Sequence, residues 1–163
     1  MKKLILAAAL LAPFALADNA EIIGNVESKC SITTDTQGVY GNPLASKLST
    51  LPADGGVLPI LRYDIITAGS YKAVIGYPTA FASSPDLSDI VTWTGSAVVG
   101  EVSDALMSAF ETNKVEYNNI TEFPLSVAGT AWFNVASSAN YGYLTAFPAG
   151  QYVATVTAEC VAI

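Results

Sequence analysis

Cys30 and Cys160 are the only cysteines in the chain. A pair of thiols can bond to each other, ligate a metal or act as a nucleophile. The last two need help that the sequence does not supply. With no histidine in 163 residues, Ser-His-Asp and Cys-His arrangements are absent and imidazole metal sites are excluded. Two distant cysteines cannot complete a zinc site alone. A disulfide is the simplest reading for an exported chain. Its closed loop of about 130 residues is worth roughly 5 kcal/mol of chain entropy.

Carboxylates offer little more. Glu116 and Glu122, or Asp86 and Asp89, could supply the acid and base of glycoside hydrolysis, but solvated carboxylates in and beside turns explain them as well. Asp86 and Asp89 lie in the polar run Ser83-Ser84-Pro85-Asp86-Leu87-Ser88-Asp89, whose oxygens make them calcium candidates. The spacing matches no EF-hand, and turn formation by Asp and Ser accounts for it equally. No Gly-rich phosphate loop follows a strand. The expectation is a protein that is not an enzyme and has no cofactor. Trp93 and Trp132, with Tyr141 and Tyr143, are candidate flat surfaces for stacking sugars. However, Trp93 alternates with Val91, and Trp132 stands between Ala131 and Phe133, as core or interface residues do.

The chain opens with an export pattern. Lys2 and Lys3 precede an apolar stretch over residues 4–17, and Ala15-Leu16-Ala17 is an A-x-A cleavage site. That stretch is shorter than the about 20 residues a membrane helix needs. The expected domains are a signal peptide over residues 1–17 and a single domain over residues 18–163. No transmembrane segment is expected, and the destination is the periplasm, cell surface or extracellular space. Losing Lys2 and Lys3 takes the net charge from −7 to −9. Phosphate binding needs clustered Lys and Arg, so nucleic acid is not expected as a partner. Only 13% of residues are charged, about half the usual share, so the surface is either bland or covered by neighbouring subunits.

The elements that must position these residues are strands. Residues 60–66 and 71–77 flank Thr67-Ala68-Gly69-Ser70 and read as a hairpin. Further strands are expected over residues 90–94, 96–102, 120–127, 130–135, 141–147 and 151–162. Residues 103–113 hint at a helix. Residues 38–56, with their glycines and prolines, read as a long loop or edge excursion. Short, punctuated strands point to an all-β fold, an immunoglobulin-like Greek-key β-sandwich. Bridged cysteines place their Cα atoms about 5.5–6 Å apart, so the first and last strands should be adjacent.

Two stretches carry a family likeness. The opening Ile22-Ile23-Gly24-Asn25-Val26-Glu27-Ser28-Lys29-Cys30-Ser31-Ile32 and the closing Pro148-Ala149-Gly150-Gln151-Tyr152-Val153-Ala154-Thr155-Val156-Thr157, with a Thr/Ser/Val-rich middle, resemble exported bacterial fimbrial, pilin-like subunits. The closing run is similar to the P-A-G-x-Y-x-x-x-V-x-V ending of spore-coat-U-like proteins and of some chaperone–usher pilins. The resemblance implies an incomplete immunoglobulin-like fold that a neighbour's N-terminal strand completes. It also implies self-association with identical subunits and an assembly chaperone. The candidate assembly strand lies upstream of Cys30 and uses Ile22, Ile23 and Val26. The expected function is a structural subunit of a surface fibre, pilus or extracellular coat, with roles in cell adhesion and biofilm. The alternative is a secreted carbohydrate-binding or adhesion β-sandwich module.

Overall fold

The computed structural model describes residues 29–142 and 145–163. The expected signal peptide, the assembly-strand residues Ile22, Ile23 and Val26, and Tyr143 lie outside the described residues.

Side-chain alternation sorts the strands into two antiparallel layers. In β4 (Ile60–Ile65), Leu61, Tyr63 and Ile65 are buried while Ile60, Arg62 and Asp64 face outward. The same period of two in β9 (Gly129–Tyr141) buries Ala131, Phe133 and Val135. β1 (Cys30–Thr36) pairs β4, and β4 pairs the first half of β9. On the same side of β9, β3 (Lys47–Ser49) pairs residues 138–140, with β2 (Gly41–Leu44) outside it. β6 (Val91–Val102) follows the other side of β9 from Tyr141 to Ala131. The second sheet has the order β10 (Thr157–Ala162), β5 (Tyr71–Gly76), β8 (Ile120–Pro124), β7 (Val115–Tyr117). Together these form an all-β sandwich of a six-stranded and a four-stranded sheet.

The core lies between the sheets. Tyr63 and Phe133 meet edge to face at 5.2 Å, and Phe123 reaches Phe133 from the opposite layer at 4.5 Å. Each such burial contributes about 1.5–3 kcal/mol. The helical hint over residues 103–113 becomes a 3-10 turn, Ala105–Ser108, followed by the one-turn helix α1 (Ala109–Thr112). Asp104 starts it by accepting from the Leu106 N–H at 2.8 Å. The segment drives Met107 and Phe110 into the core.

Several expectations change form. Residues 60–66 and 71–77 are strands but not a hairpin, because β4 lies in one sheet and β5 in the other. The link between them, with Gly69 at φ +72°, is an arch from layer to layer. Turn composition cannot distinguish an arch from a hairpin, since both need glycine and small polar residues. Residues 90–94 and 96–102 are one strand, kept continuous through Gly95, whose missing Cβ would lie 2.5 Å from Cγ of Tyr77. The loop over residues 38–56 contains the small β2–β3 edge pair. The last strand begins only at Thr157, not at residue 151.

Candidate functional site

The first and last strands meet across the layers, not within one ladder. β1 is an edge of the large sheet and β10 an edge of the small one. Cys30 and Cys160 are disulfide-bonded between them, with Cα atoms 6.1 Å apart. Beyond the bond the seam opens into a trough. Its cavities of about 320 and 450 Å³ share Gln37, Gly38 and Tyr40 on one bank and Val153 and Ala154 on the other. Tyr40 donates to or accepts from Ser137 Oγ at 2.9 Å. Burial pushes its phenol above the ordinary value, against the effect of that bond.

The second bank is half a strand. Residues 151–156 alternate exposed and half-buried, as the sequence pattern predicts. Val153 exchanges main-chain hydrogen bonds with Ser83. Residues 154–156 make no main-chain hydrogen bond within the described residues. An extended segment with unused N–H and C=O groups is a template for another strand.

The opposite side of the sandwich is capped at two points. β6 is also an edge strand, twelve residues long with Glu101 as its one charge. Side chains cap its main chain at Ala97 and Val99. The Glu111 carboxylate accepts from the Val99 N–H at 2.8 Å, and Lys114 Nζ donates to the Ala97 carbonyl at 3.3 Å. Lys114 is held in turn by Glu111 and Glu116 at 2.7 and 2.9 Å. Tyr77 lies over Gly95, and its hydroxyl meets Thr121 Oγ1. Charged side chains on an edge oppose pairing with another chain.

A third feature lies on the outer face of the large sheet. Two β-bulges flank it: Asp35 is the extra residue in β1 and Gly100 the extra residue in β6. A bulge re-aims the side chains beside it. Asp35 reaches the outer face, where it accepts from Trp132 Nε1 at 2.7 Å and pairs with Arg62 at 3.4 Å. Arg62 also pairs with Asp64 at 3.2 Å, and Thr130 donates to Asp64 at 2.9 Å. Gly100 leaves space for the Asn134 amide, whose Nδ2 would lie 2.7 Å from a Cβ there. Between the bulges is a shallow pocket of about 470 Å³, lined by Asp35, Trp132, Glu101 and Asn134 among others.

The structure separates the two tryptophans predicted as a stacking surface. Trp132 is on the outer face. Trp93 pairs with the buried Ala139 on the inner side and packs edge-on against Phe81 at 4.7 Å. Phe147, Tyr152 and Tyr141 complete that aromatic cluster. Trp93 therefore holds the loops over residues 79–88 and 145–152 to the sandwich. Asp89 bonds its neighbour's Ile90 N–H at 2.7 Å, the turn role its sequence allows. Among the described residues, no three His, Cys, Asp or Glu side chains converge as a metal site would require. Glu122 binds Lys72 and the Tyr117 hydroxyl, each at 2.7 Å. Those contacts, Lys72 first, hold its carboxyl below the usual range. No helix among the described residues is long and apolar enough to cross a membrane.

Asp35, Arg62, Glu101 and Asn134 did not stand out in the sequence. The available signal was Gly100 inside an otherwise strand-like run, which marks a bulge. No known protein-family model matches the chain, and no curated protein or solved structure matches it either.

Proposed function

We propose that this chain is an exported, non-enzymatic structural subunit that self-associates by strand addition at the seam between β1 and residues 151–156. The observation that carries this reading is the asymmetry of the two sides of the sandwich. Side chains cap the β6 edge at Ala97 and Val99. The seam has a disulfide, a trough and the main chain of residues 154–156 without partners among the described residues. The occupant is the segment over residues 18–29 of a second copy, placing Ile22, Ile23 and Val26 along the trough. A strand of 5–6 residues is long enough to pair. Each large aliphatic side chain fully buried there adds about 1.5–3 kcal/mol to the contact. The periplasm or cell surface is the compartment that this assembly and the disulfide fit, with an assembly chaperone guarding the open seam before subunits meet.

Negative-stain microscopy and size-exclusion chromatography of the purified protein test this reading. Fibres or ladders of oligomers are expected, and deletion of residues 18–25 should reduce them to monomers. Monomers alone from the undeleted protein, or assembly that survives the deletion, would defeat it.

A further inference from the structure

The outer-face pocket shares β1 with the seam through Asp35 and Thr36 but opens on the sheet face, and its chemistry points elsewhere. We infer that it is a binding subsite for a neutral, equatorially substituted pyranose, such as one residue of a β-linked glucan, with Trp132 as the stacking surface.

One transverse row of the sheet defines the site. Arg62 pairs with Trp132, and Trp132 pairs with Glu101, so all three side chains project from the same face. The next row contributes Ile60 and Asn134, also a register pair. Asp35 fixes the indole by accepting its N–H, which leaves the ring face as the group offered to a ligand. An aromatic ring held in one orientation contributes contact area at low entropic cost.

The polar lining is left free. Among the described residues, the Glu101 carboxylate and the Asn134 amide make no hydrogen bond or ion pair. Together they provide acceptors for sugar hydroxyls and an N–H donor for a hydroxyl oxygen. Gly100 sets the amide against β6, since any Cβ there would strike it. A concave site with one apolar wall and a few converging polar groups is the usual form of a small-ligand site.

Charge selects the ligand class. No Lys or Arg is among the described lining residues, and Arg62, in the same row as Trp132, is already bound to Asp35 and Asp64. The charged lining groups are Asp35, which is paired, and Glu101. Uronic-acid polymers, phosphates and nucleic acids therefore meet an acidic wall with no spare cation. A pyranose with equatorial hydroxyls presents an apolar C–H face to the indole and a ring of hydroxyls to Glu101 and Asn134. The inference stands apart from assembly, because the pocket lies on a sheet face and the seam lies at its edge.

Isothermal titration and tryptophan fluorescence with cellohexaose and laminarihexaose, using an alginate oligomer as anionic comparison, test the site. Trp93, on the opposite face, acts as an internal reference. At least one neutral oligosaccharide should bind, and the alginate should not. W132A should weaken binding at least about tenfold. E101A, at an exposed and unpartnered side chain, should also weaken it while leaving the melting temperature unchanged. Absence of binding by both neutral oligosaccharides at millimolar concentration, preference for alginate, or undiminished binding by E101A and W132A would each overturn the inference.

Discussion

Val99 donates its main-chain N–H to the Glu111 carboxylate at 2.8 Å, so a side chain from α1 fills the position that a further strand would take. The contact blocks a long, weakly charged edge at Val99. E111A should leave that N–H without its partner and cost about 1–3 kcal/mol of stability. It should also raise concentration-dependent association, read by light scattering. E111Q retains an acceptor and should restore most of both. If E111A associates no more than the parent protein, the cap does not protect the edge.

The disulfide is the second point of control. Replacing Cys30 and Cys160 by serine, or reducing the protein, should lower stability by up to about 5 kcal/mol, since the bond closes a loop of 130 residues. Denaturant titration with and without reductant measures the difference. A loss well under 1 kcal/mol would mean that the seam is held by packing alone.

Tyr63 gives a prediction for alkaline pH. Its ring is fully buried, and its hydroxyl donates to the Glu159 carbonyl at 3.5 Å, tying β4 to β10 across the core. Burial pushes its ionisation well above the ordinary 10.0. The unfolded chain therefore gives up this proton first as pH rises. Stability contributed by the neutral phenol is intact below pH about 10 and declines above it. Y63F should flatten that decline, seen as urea midpoints measured on either side of pH 10. Tyr40 and Tyr77, also raised by burial, should leave a residual slope. An unchanged alkaline slope in Y63F would remove Tyr63 as its source.

The sequence discloses the period of the strands better than their partners. Leu61, Tyr63 and Ile65 alternate with polar neighbours, so β4 is legible, and so is the inward set of β9. Which sheet each strand joins is not legible, because the arch after Ile65 uses the same residue types as a hairpin turn. The Cys30–Cys160 pairing follows from counting, while its crossing from one sheet to the other does not. Of the two tryptophans, alternation with Val91 correctly places Trp93 inward. Trp132 also sits among apolar neighbours, yet the period of two puts it on the opposite face to Ala131 and Phe133. Asp35 was hidden for a different reason. Its role depends on a one-residue bulge, and a bulge shifts the face of every residue beyond it.

The staple between Cys30 and Cys160 also has a mechanical consequence. A pull that enters the domain at Cys30 and leaves at Cys160 passes through one covalent link, with Cα atoms 6.1 Å apart. The 130 residues of separation, about 430 Å of contour at roughly 3.3 Å per residue, are short-circuited. No ladder of either sheet lies in the path of that load. Oxidised, the domain is an inextensible link; reduced, it becomes a spring that can unravel.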